Sequence, residues 1–82
     1  MSKYTVAESH PGSILVFREV ISDLPPSEML RTLAATGRLS QLSFRRGLVS
    51  LCPSGVYCFQ CQEGEFFGDV ETTAKTIEEV LG

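Results

Sequence analysis

Two adjacent prolines, Pro25-Pro26, separate the strongest strand pattern of the chain from its first helical one, and no other short feature limits the fold as much. Proline lacks the N–H that a sheet ladder uses, yet its fixed φ suits the first turn of a helix. Residues 14–21, just before the pair, are rich in β-branched and aromatic side chains. Alternation puts Leu15, Phe17 and Ile21 on one face and Ile14, Val16 and Val20 on the other. With both faces apolar, this strand is expected at the centre of a sheet. After the pair, Leu24, Met29, Leu30, Leu33 and Ala34 form a stripe, and Gly37 offers a left-handed cap. The spacing predicts a helix over residues 25–36.

The remaining segments read in the same way. Residues 3–8 alternate, and Ser9-His10-Pro11-Gly12-Ser13 is a turn in which Gly12 accepts a positive φ. Strand patterns cover 39–44, 48–52, 56–62 and 65–67. Arg45-Arg46-Gly47 is either a turn or part of one bent strand, so three or four strands follow the first helix. Cys52-Pro53-Ser54-Gly55 is a strong turn signal, and Glu63-Gly64 marks a further hairpin. Val70, Ala74, Ile77 and Leu81 recur at helical spacing, which predicts a helix over 70–81 with Asp69 as N-cap. A later start, through a Thr76/Glu79 capping box, is the alternative. The result is one α+β domain over residues 1–82. It has an antiparallel sheet of four to six strands with two helices on one face, in the order ββαβββα.

At 82 residues the chain can bury one modest core and no deep cleft. Its 43% hydrophobic content is too high for a disordered segment. The longest purely aliphatic and aromatic run, Ile14 to Phe17, is far too short to span a membrane. The first residues contain no apolar leader, so export is not expected.

The net charge of −3 conceals a segregation. Residues 29–62 carry Arg31, Arg38, Arg45 and Arg46 and no acid, whereas residues 63–82 carry six acids against Lys75. The basic middle and the acidic end can neutralise each other on neighbouring elements. Alternatively Arg38, Arg45 and Arg46 form a patch that grips an acidic partner. Four arginines are a thin footprint for nucleic acid, so nucleic-acid binding through those three residues stays a weak alternative.

Cys52, Cys58 and Cys61 are the one cluster able to carry metal or thiol chemistry, and with His10 they make a Cys₃His zinc set. Their setting opposes it. Cys58-Phe59-Gln60-Cys61 lies inside a strand pattern, where residues three apart face opposite ways. A three-residue loop at Pro53-Ser54-Gly55 sets Cys52 opposite Val56, Ser50 opposite Cys58 and Val49 opposite Phe59. Leu51, Val49, Tyr57, Phe59 and Cys61 then share the core face, so Cys61 is expected buried and Cys58 on the opposite face. Cys52 and Cys58 would share that face only diagonally, roughly 7–8 Å apart, too far for a relaxed disulfide. An odd cysteine count without a leader points to a reducing, cytoplasmic setting.

Catalysis finds few residues. His10 stands alone before a proline, Ser54 lacks a nucleophile elbow, and the glycines mark turns rather than a phosphate loop. No cofactor, metal or enzymatic activity is expected. Surfaces remain. Phe66 and Phe67 face opposite ways on a strand, so one can fill the core while the other is presented to a partner. The face carrying Leu48, Val56 and Cys58 is too apolar to sit easily in water, and Arg45 and Arg46 would rim it. These residues read as a contact surface for another protein or for a second copy. The expected function is that of a small non-catalytic binding module, either a regulatory subunit or a phage- or mobile-element-type inhibitor of host machinery. A site at Cys52, Cys58 and Cys61 is the alternative from another class. One local stretch, from Leu24 through Thr36-Gly37-Arg38-Leu39 to Phe44, resembles the helix of bacterial PATAN-type regulatory domains. It covers about a quarter of the residues without a diagnostic motif, and no residue role follows from it.

Overall fold

The first hairpin joins β1 (Ser2–His10) to β2 (Ile14–Ser22), with Ser2 opposite Ser22 and His10 opposite Ile14. The structure, a computed structural model, describes residues 1–12 and 14–82; Ser13, the last residue of the predicted turn, lies outside them. Gly12 sits at φ 93, the left-handed conformation that the turn demands. After Ser22 the chain leaves the sheet, and the Tyr4 hydroxyl donates to the Leu24 carbonyl at 2.6 Å, tying this connection back onto β1.

The first helix, α1 (Pro26–Ala34), begins with Pro26 in its first turn, where the missing N–H costs nothing. It stops short of residue 36 because the amides of Thr36 and Gly37 bond to the carbonyls of Leu33 and Ala34, a tight final turn. Four strands follow: β3 (Leu39–Phe44), β4 (Gly47–Leu51), β5 (Tyr57–Cys61) and β6 (Gly64–Gly68). Phe44 faces Gly47, so Arg45-Arg46 is a two-residue turn, and the larger of the two strand counts holds. The second helix, α2 (Val70–Leu81), starts where Asp69 predicts, with Asp69 Oδ1 accepting from the Thr72 amide at 2.8 Å. Thr76 lies within it and donates its hydroxyl to the Thr72 carbonyl.

All six strands form one antiparallel sheet in the order β2-β1-β3-β4-β5-β6. Both helices pack on one face. Tyr4, Val6, Leu42, Val49 and Phe59 point from the sheet towards Met29, Leu30, Leu33, Ala74 and Ile77, and together they form the core. Phe44 of β3 and Phe59 of β5 stack over Gly47 of the intervening β4 with ring centroids 6.1 Å apart, Phe59 stacks on Phe66 of β6 at 6.2 Å, and Tyr4 meets Phe44 edge-on.

The expected central position of residues 14–21 is corrected: β2 is an edge strand. β2 and β3 lie on either side of β1 and run in the same direction, so α1 must cross over β1 to join them. The helix packs against β3, and α2 packs against β5 and β6. β2 is left lateral to the helical layer. No described helix is long and apolar enough to cross a membrane.

Candidate functional site

The outlying position of β2 exposes its apolar residues on both faces at once. Ile14 is 63% exposed, Leu15 49%, Val16 42%, Phe17 60% and Ile21 59%. Edge strands usually carry charges that discourage a second strand from docking. Here the two charges of β2 are drawn back onto β1. Arg18 Nε donates to Glu8 Oε1 at 2.9 Å, and Lys3 Nζ lies 2.8 Å from Glu19 Oε2. The Arg18 hydrogen bond holds the largely buried Glu8 carboxyl below its usual range against the effect of burial, and Glu19 raises the Lys3 ammonium. The free edge of β2 is therefore a row of backbone N–H and C=O groups flanked by aliphatic and aromatic side chains.

The predicted basic patch is divided. Arg38 precedes β3, where its carbonyl accepts from the Ser9 amide at 2.9 Å. Arg45 and Arg46 stand beyond the other end of the same six-residue strand, on the order of 20 Å away at the usual strand rise. Arg31, which sequence counts with them, bonds to Glu28, Glu71 and Glu78. Arg45 and Arg46 are exposed and have no ion pair among the described residues. They border a cavity of about 470 Å³ with Tyr4, Pro26, Phe44 and Leu81. Arg46 Nη1 donates to the Leu81 carbonyl at 3.3 Å.

The hairpin of β4 and β5 has the expected register. Val49 opposes Phe59 and Ser50 opposes Cys58, while the Cys52 amide bonds to the Val56 carbonyl at 2.8 Å. Leu48, Val56, Cys58 and Phe67 share the sheet face away from the helices, with Cys58 directly opposite Phe67. Phe66 turns into the core, and Phe67 is 63% exposed.

The two CxxC cysteines take the expected faces, Cys61 packing against the core and Cys58 lying on the outer side, but Cys61 is less buried than expected. Cys58 is buried and Cys61 only half-buried. Cys58 sits mid-strand between β4 and β6, with Glu65 Oε2 4.0 Å from its sulfur, so its larger neighbours shade a small side chain. Cys61 ends β5 at the rim, its sulfur directed at the Gly64 carbonyl. Burial, then the Glu65 charge, push the Cys58 thiol up, away from the reactive thiolate. Among the described residues no three His, Cys, Asp or Glu side chains converge as a metal-ligand set.

The feature that sequence reasoning misplaces is thus the edge at Ile14–Phe17. A signal for it exists in Arg18-Glu19. Adjacent strand residues face opposite ways, so these two put a charge on each side of the strand, which burial on both sides would not tolerate. In comparisons with protein-family models, curated proteins and solved structures, nothing matches this chain.

Proposed function

We propose that this chain is a non-catalytic protein-binding module whose principal contact is the free edge of β2. One observation carries the reading: four consecutive apolar residues, Ile14 to Phe17, stand exposed on an edge strand whose only charges are engaged by β1. Contiguous apolar patches and unpaired strand edges mark interaction sites, the first through burial and the second through strand addition. The face around Leu48, Val56 and Phe67 is a smaller secondary surface, and Arg45 and Arg46 supply charge at one end of the sheet. In this reading the chain acts as a regulatory subunit, or as an inhibitor that occupies a surface of host machinery.

The test is quantitative capture from the native cell with the wild-type chain, Phe17→Lys and Arg38→Ala. The reading expects at least one protein retained by the wild type and by Arg38→Ala and lost from Phe17→Lys. If the three baits retain the same proteins in equal amounts, β2 is not the contact.

A further inference from the structure

We infer that the free edge of β2 pairs with β2 of a second copy of this chain, antiparallel and centred on Arg18. The inference rests on the reading of β2 as a binding edge and names its occupant. A two-fold axis perpendicular to the sheet keeps both helical layers on one side, so each residue must face one of the same alternation. Among such registers, the one centred on Arg18 brings all nine residues of β2 into the ladder. It sets Val16 opposite Val20 of the second copy on the helical side, and Leu15 opposite Ile21 of the second copy on the outer side. Each of these pairs occurs twice about the axis, giving four apolar contacts, two on each face, while Phe17 lies opposite Glu19 and Ile14 opposite Ser22 at the flanks. Centring on Phe17 instead puts Leu15 opposite Glu19 and Val16 opposite Arg18. Centring on Glu19 shortens the ladder to seven residues and leaves Phe17 with Ile21 as its one kind of apolar pair, with Arg18 opposite Val20.

Charge agrees with the Arg18 register. The two copies of Arg18 meet at the axis, and each already holds the Glu8 carboxylate of its own chain at 2.9 Å. The axis therefore carries two cations and two anions, and neither arginine faces the other unbalanced. Glu19 is likewise neutralised by Lys3.

The exposed apolar surface of β2 comes from five side chains of one strand, enough to act as a contact yet less than a permanent interface buries. The dimer is accordingly weak and reversible.

Sedimentation velocity of the intact chain from about 1 μM to about 1 mM, the range over which weak association appears, measures it. The expected result is a mass that rises from monomer to dimer with concentration. Leu15→Lys and Ile21→Glu each stay monomeric about tenfold higher in concentration, and a mixture of the two recovers dimer because the altered side chains then face each other as opposite charges. Both positions are exposed, and circular dichroism checks that the variants fold. Should one fail to fold, concentration-dependent slowing of amide exchange in wild-type β2 carries the same test. A strictly monomeric chain at about 1 mM, or a dimer that survives both substitutions, overturns the self-pairing. Loss of captured protein by Phe17→Lys would still stand in that case, with a different protein as the occupant of β2.

Discussion

Arg31 closes on Glu71 with a two-pronged ion pair, Nη2 to Oε1 at 2.8 Å and Nε to Oε2 at 3.1 Å, which joins α1 to α2. Its Nη1 also reaches Glu78 at 2.9 Å and Glu28 at 3.1 Å. The planar guanidinium suits this arrangement because its donors match both oxygens of a carboxylate, a geometry that lysine cannot reproduce. One residue of the basic segment thus neutralises acids of the C-terminal segment across the helix–helix contact.

Arg31→Lys is expected to lower the melting temperature, with a deficit that shrinks in high salt because the pairs are exposed and screened. The pH dependence has a definite sign. Arg31 holds the Glu71 and Glu78 carboxyls below their ordinary value of 4.5. The stabilisation is therefore complete above pH 4.5 and is lost as pH falls through the depressed folded-state values. Thermal melts of both proteins should diverge at neutral pH and converge in acid. A gap that is constant with pH would refute the role.

Gly47→Ala should destabilise by roughly 1–3 kcal/mol, the usual range for overpacking. A Cβ there would lie 2.6 Å from Phe59 Cε1 and 2.9 Å from the Gln60 carbonyl oxygen. Phe59 is fully buried between Phe44 and Phe66, and the carbonyl is backbone, so neither can easily give way. The urea midpoint measures the change, and an unchanged midpoint would contradict this packing.

Tyr4→Phe removes the hydroxyl that bonds to Leu24, at a cost of about 0.5–1.5 kcal/mol. Burial also raises the ionisation of Tyr4 and of Tyr57 above the ordinary 10.0. A raised acid is neutral in the fold, so its contribution is whole below pH 10.0 and is lost as pH climbs through the folded value. Ultraviolet titration of the native chain should show tyrosinate appearing later than in denaturant. Coincident curves would contradict the burial.

Of the three thiols, Cys58 should react slowest with a disulfide reagent, because it is buried and its ionisation is raised. Cys52 and Cys61 are half-buried and should modify before denaturation. Mass spectrometry of partly labelled protein identifies the order, and early labelling of Cys58 would contradict it.

Much of this fold is legible in the chain. The helix start at Pro26, the Asp69 cap and the register set by Pro53-Ser54-Gly55 depend on residues within a few positions of each other. Local sterics and hydrogen bonding are enough to determine them. The alternation that separates Phe66 from Phe67 is equally local, although which ring enters the core is settled by Phe59 on the neighbouring strand.

What the sequence could not determine is which strand stands next to which. Alternation reports how much of each face is apolar and says nothing about lateral neighbours. For that reason the two-sided apolar pattern of residues 14–17 by itself suits a central strand as well as an exposed edge, and only Arg18-Glu19 argue locally for the edge. Tertiary structure decides the matter, because α1 carries the chain across β1 to place β3 on its far side, and β2 is left with one neighbour. The same long-range placement engages Arg31 with Glu71 and Glu78 of α2, whereas the extended β3 alone separates Arg38 from Arg45 and Arg46. The strand order and the Arg31 pairs join residues distant in sequence, and the cost of bringing them together is met by the packing of the whole core.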